Sequence, residues 1–168
     1  MRGATALGVF ASDALRALDI LAAHPAVDPD RIGVTGLSLG GLLTLLTAAL
    51  DDRVAAAVVE GYYGSLHGRF MRARNCPCQN AGVLGLALDL SDIAALAAPR
   101  PLLFVAGEND PEMPIAETRA AFERSRAIWQ LLGAAGAHDL VEHEGRHEFR
   151  AEPAIAWFDR WLRLDEAS

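Results

Sequence analysis

The sequence predicts an α/β protein: a mostly parallel sheet of about four strands flanked by helices. Three observations point there. Residues 31–35, 53–59 and 101–106 are short, apolar and rich in branched side chains, as strands buried on both faces are. Apolar residues recur at helical spacing in the segments around them. Proline, glycine and aspartate punctuate the junctions.

The elements follow in order. Leu7, Phe10, Ala14, Leu18 and Leu21 place an amphipathic helix over residues 5–23, closed by His24-Pro25 and the turn Val27-Asp28-Pro29-Asp30. A first strand covers 31–35, a helix 39–50 and a second strand 53–59. Residues 60–90 read as irregular. Ser91 is placed to cap a short helix that ends before Pro99. A third strand covers 101–106, followed by a loop over 107–114. A long helix over 115–132 carries Ile115, Phe122 and Trp129 on one face. Residues 139–143 form a weaker fourth strand, and Pro153 suits the first turn of a last helix whose Phe158, Trp161 and Leu162 face inward.

Composition excludes several classes. The 168 residues carry 22 Asp and Glu against 15 cations, a net charge of −7, and every one of the cations is arginine. A nucleic-acid partner needs a cationic surface to displace counterions, so none is expected. A 52% hydrophobic content is incompatible with disorder. The apolar runs at 37–50 and 54–59 are interrupted and too short to cross a bilayer, so no membrane association is expected. Two cysteines cannot build a disulfide scaffold, which points to a reducing, cytoplasmic setting.

The motif that carries chemistry is Gly36-Leu37-Ser38-Leu39-Gly40, between a predicted strand and a predicted helix. A nucleophilic serine held in a strained turn projects its hydroxyl above the sheet, and glycine two residues to either side removes side chains that would collide there. Random sequence of this composition gives the pattern in about one chain in twenty, so the strand–helix context carries the weight. The helix after Ser38 aims free amides at the site, and Leu39 N–H is the candidate oxyanion donor. A serine needs a base, and the base an orienting acid. Asp110, in the loop after the third strand, suits the acid better than Glu108 or Glu112. His147, between the last strand and last helix, suits the base better than His24, His67, His138 or His143.

Taken with Val27-Asp28-Pro29-Asp30-Arg31-Ile32-Gly33-Val34, Ala98-Pro99-Arg100-Pro101-Leu102-Leu103 and Gly145-Arg146-His147-Glu148-Phe149, the sequence resembles the α/β-hydrolase superfamily over nearly its whole length. It is most similar to the acetyl xylan esterase and dienelactone hydrolase-like serine esterases, near the prolyl oligopeptidase catalytic domain. The resemblance implies Ser38 as nucleophile, His147 as general base and then acid, and Asp110 as orienter of the imidazole. It implies no cofactor and no metal, and a small-molecule ester, such as an acetyl ester, as substrate. Residues 1–168 read as a single α/β-hydrolase domain resembling the carboxyl half of that fold. The loop that usually gives the second oxyanion donor has no counterpart in this reading, and the first strand is left with an open edge through which a homo-oligomer could form. A prolyl oligopeptidase-like peptidase and a non-catalytic, self-associating remnant are the alternative readings.

The remaining features are less specific. Cys76-Pro77-Cys78 with His67 falls short of four placed zinc ligands. Tyr62 and Tyr63 follow the second strand, where an acyl pocket would form, and compete with a plain packing role. Arg69, Arg72 and Arg74 read as a solvated cationic cluster.

Overall fold

A computed structural model describes residues 5–66 and 88–163. His67, Cys76, Cys78, Arg69, Arg72 and Arg74 lie outside them. Four strands, β1 (Ile32–Leu37), β2 (Val54–Glu60), β3 (Leu102–Gly107) and β4 (His138–His143), form one parallel sheet in that spatial order. Among the described residues five α-helices connect and cover them: α1 (Ala6–Ala22), α2 (Leu39–Leu50), α3 (Leu90–Ala95), α4 (Ile115–Leu131) and α5 (Ala151–Leu162). The α/β class and the four strands match the sequence expectation. The outer edge of β1 has no partner strand among the described residues. No helix among them is long and apolar enough to cross a membrane.

Successive side chains of a strand point to opposite faces, so β2 and β3 feed two cores. Ala57, Val59, Leu102 and Phe104 join the larger core, with Leu7 and Leu18 of α1, Leu42 and Leu45 of α2, and Phe122 and Trp129 of α4. Ala56, Val58, Leu103 and Val105 form the second core, with Ala154 and Trp157 of α5. Both cores are apolar, which is why these strands read as continuous hydrophobic runs rather than alternating ones. Ala154 and Trp157 are the buried anchors of α5, while Phe158, Trp161 and Leu162 are only partly buried beside them. Gly33 lets α5 approach β1, since a Cβ there would lie 2.7 Å from Phe158 and 2.8 Å from Leu162.

The cap of α3 is Asp89 rather than Ser91. Asp89 accepts from Leu90 N–H at 2.9 Å, and Asp92 accepts from Asp89 N–H at 2.7 Å, a reciprocal capping box. Ser91 is buried and stands two residues too late to cap. Arg100 closes the opposite end of α2. Its guanidinium donates to Ala48 O at 2.6 Å and to Asp51 O and Val54 O, each at 3.0 Å. A planar five-donor cation can satisfy several such terminal carbonyls together.

His138 opens β4 as a core residue. Its ring stacks on Trp129 with centroids 4.0 Å apart, and its Nε2 lies 2.8 Å from Ser125 Oγ. Nδ1 faces Leu102 O at 3.3 Å, so Nδ1 carries the proton and Ser125 donates to Nε2. Tyr63 donates to the same Ser125 Oγ at 2.7 Å and stacks on Phe104 at 3.6 Å. Burial pushes the His138 imidazole down to about 4. The unfolded chain therefore takes up a proton near pH 6.5 that the folded chain refuses until about pH 4. Stability should fall by about 3 kcal/mol as pH drops through that window. Denaturant unfolding across it should show the slope, and His138→Gln should flatten it while leaving the carboxylate-driven loss below about pH 4 in place.

Candidate active site

The sheet gathers three chemically capable side chains at the carboxyl ends of its strands, where open α/β sheets hold their ligands. Ser38 follows β1 at φ 59° and ψ −119°, and is the non-glycine residue with positive φ among the described ones. Such a conformation costs roughly 1–3 kcal/mol and persists only when its surroundings overdetermine it. They do. Ser38 N–H donates to Glu60 O at 2.9 Å, and Leu42 N–H donates to Ser38 O at 3.0 Å. A Cβ on Gly36 would meet the Gly40 carbonyl carbon at 2.6 Å, and one on Gly41 would meet Glu60 O at 2.6 Å. The strand and helix thus cross at backbone contact. Gly40 differs from the sequence expectation: a Cβ there meets nothing within 4 Å. The collision that glycine relieves belongs to positions 36 and 41.

Leu39 is the first residue of α2, so its N–H is among the helix's free amides. It therefore stands beside the Ser38 side chain with the positive end of the helix behind it.

Asp110 and His147 are brought together. Asp110 Oδ2 lies 2.7 Å from His147 Nδ1, with the carboxylate 1% and the imidazole 18% exposed. The other oxygen of Asp110 accepts from Glu112 N–H at 2.7 Å and Met113 N–H at 3.1 Å, which fixes the carboxylate plane. An ionised carboxylate only accepts, so Nδ1 carries the proton and the Nε2 lone pair faces away from the acid. That Nε2 is buried and has no hydrogen-bond partner. Ser38 and His147 are therefore not joined directly, and the acid–base pair is the closed part of the constellation.

The histidine loop is clamped on both sides. Glu108 N–H donates to His143 O at 2.8 Å, and Asn109 N–H to Gly145 O at 3.1 Å. Asn109 Nδ2 donates to Glu144 O at 2.7 Å. A side chain on Gly107 would strike Arg146 O, so β3 ends in the residue that lets this loop settle. On the other side Gly61, at φ 56°, lies under the imidazole: a Cβ there would come within 3.1 Å of His147 Cε1.

Glu60, the last residue of β2, is fully buried, and sequence reasoning passed over it. Its Oε2 accepts from Arg150 N–H at 2.7 Å. Burial pushes this carboxyl above the usual range, against the opposing pull of the Arg150 amide and the Thr35 hydroxyl. A charged residue closing the apolar run Val-Ala-Ala-Ala-Val-Val was the signal available in the sequence. Tyr62 and Tyr63 pack into the larger core. Both are 2% exposed there, and the Tyr63 hydroxyl is spent on Ser125. Among the described residues no group of three His, Cys, Asp or Glu side chains could hold a metal ion.

Residues 7–77 match the acetyl xylan esterase (AXE1) family model. The chain is 30% identical to YtaP of Bacillus subtilis, over 96% of its own length and 56% of that protein's. It superposes on the glucuronoyl esterase catalytic domain of Hypocrea jecorina with a TM-score of 0.74, at 20% identity, over 95% of this chain and 52% of that one. The chain shares the α/β fold of that esterase domain. It is also 27% identical to 4-O-methyl-glucuronoyl methylesterase 1 of Sodiomyces alcalophilus, over 78% of this chain and 32% of that protein. The chain thus spans about half the length of the relatives it matches, or less.

The glycine geometry separates two substitutions that sequence alone treats alike. Gly36→Ala should cost about 2–3 kcal/mol, because the methyl group meets backbone that cannot move aside. Gly40→Ala should be neutral or stabilising by up to about 1 kcal/mol, since it removes backbone entropy from the unfolded chain and fills open space. Urea unfolding of the two variants beside the parent checks the contrast.

Proposed function

We propose that the chain hydrolyses carboxylic esters of small acyl groups, acetyl esters foremost, through Ser38, His147 and Asp110. The observation that carries the reading is the Asp110–His147 pair, with its buried, unpartnered Nε2, on the same sheet rim as a serine held at positive φ. The match to the acetyl xylan esterase family over residues 7–77 supports an ester as substrate and acetyl as the acyl group.

The chemistry proceeds in two halves. His147 Nε2 takes the Ser38 proton as Oγ attacks the ester carbonyl, a step that requires the serine rotamer to turn toward the imidazole. Asp110 holds the Nδ1–H tautomer and stabilises the imidazolium. The tetrahedral oxyanion accepts from Leu39 N–H, with the N-terminal end of α2 adding its dipole. The imidazolium gives its proton to the departing alkoxide, leaving an acyl-serine. Water, deprotonated by the same Nε2, attacks that acyl carbon, and collapse returns Ser38 and the free carboxylic acid.

Turnover of p-nitrophenyl acetate tests the reading. Ser38→Ala should lose about 10⁴-fold or more in kcat, because no other hydroxyl takes its place. Equal rates for parent and variant would leave the chain without this activity. Asp110→Asn should lose about 10³–10⁴-fold with the fold intact, because its amide nitrogen can donate to Nδ1 and force the proton onto Nε2. Rates near the parent's would assign the orienting role elsewhere.

A further inference from the structure

We propose that Glu60 is the positioning residue that sets Ser38 and His147 against one another, an inference that rests on the ester-hydrolase reading. One residue reaches both parts of the site. Its main-chain oxygen accepts from Ser38 N–H at 2.9 Å, and its side-chain Oε2 accepts from Arg150 N–H at 2.7 Å. Arg150 stands three residues beyond His147 and is the N-cap of α5, which receives no cap bond from that residue's own side chain. Glu60 supplies an acceptor from the neighbouring strand instead. The next residue, Gly61, forms the floor under the imidazole.

The sheet makes this reach possible. Glu60 pairs in register with Leu37 on one side and Val105 on the other, so it is the last rung before both the serine turn and the acid loop depart. Asp110 fixes which nitrogen of His147 carries the proton. Glu60 fixes where the segment bearing that ring leaves the sheet.

Packing alone would not select this residue. A carboxylate at a fully buried position is costly among Ala and Val neighbours, and the bond from Thr35 offsets only part of that cost. What a leucine there cannot supply is the bond to Arg150. A displacement of about 1 Å in a reacting group can cost about 10²-fold in rate, so a loop anchor of this kind acts on kcat rather than on substrate binding.

The test uses the full chain with Glu60→Leu and Glu60→Gln, each checked for folding by circular dichroism. Glu60→Leu should lower kcat for p-nitrophenyl acetate by about 10–100-fold with KM within about twofold, and should accelerate hydrogen exchange at the Arg150 amide. Glu60→Gln keeps an oxygen for that amide, and should hold kcat within about threefold and retain the protection. Parent-like kcat and unchanged Arg150 exchange in Glu60→Leu would overturn the proposal, as would equal losses in both variants. If Glu60→Leu does not fold, Glu60→Gln decides: retained kcat and protection support the anchor, and their loss overturns it. If the parent itself proves no faster than Ser38→Ala, the ester reading fails and the exchange measurement judges the anchor alone. Faster exchange in Glu60→Leu then supports it, and unchanged exchange overturns it.

Discussion

Ser38 is held at φ 59°, a backbone state an L-residue enters only under compulsion, and much of the surrounding construction serves to keep it there. The compulsion is close backbone approach. β1 delivers the chain to a point where Gly36 touches the Gly40 main chain, and α2 leaves so near β2 that Gly41 lies against the Glu60 carbonyl. That same carbonyl takes the Ser38 amide. The turn cannot relax without separating the helix from the sheet, and that separation would expose Leu42 and Leu45, both at most 2% accessible. Burial of the α2 face thus offsets the strain in the turn.

The two faces of the sheet have different tasks. The larger core contains aromatic rings around His138, with every polar atom of that histidine placed, and it makes the frame stiff. The other face is covered by α5, whose N-terminus is held by Glu60 and whose C-terminal carbonyl Leu162 O accepts from Arg31. Helix α5 follows directly on the histidine loop, so the packing of Trp157 and Ala154 on Ala56 and Val58 also locates His147. A parallel sheet sends all its strands out at one rim. Residues far apart in the chain, 38, 110 and 147, consequently share that rim.

Arginine does more here than carry surface charge. Arg100 gathers three carbonyls where α2 gives way to β2. Arg53 bridges Asp51 and Asp19, linking that junction to α1. Both carboxylates are held below their ordinary range, chiefly by hydrogen bonds from Arg53. The anionic balance of the chain is thereby partly spent on fixed pairs.

The sequence by itself determined the alternation of strands and helices, the place of the serine turn, and the order of acid and histidine. These are local properties: apolar periodicity, a glycine pattern, and residues at strand ends. Even the errors were local. Asp89 outcompeted Ser91 because Asp92 could reciprocate, and the outward Cβ direction at Gly40 depends on the helix's exact departure angle. Only the tertiary structure decided that Tyr63 and His138 share Ser125 inside the core, and that Glu60 meets Arg150. Each of these is a contact between segments distant in the chain, made across a sheet whose spatial order and register must exist first. A side chain's partner is set by which strand lies beside its own, and a linear pattern of residue types does not contain that distance.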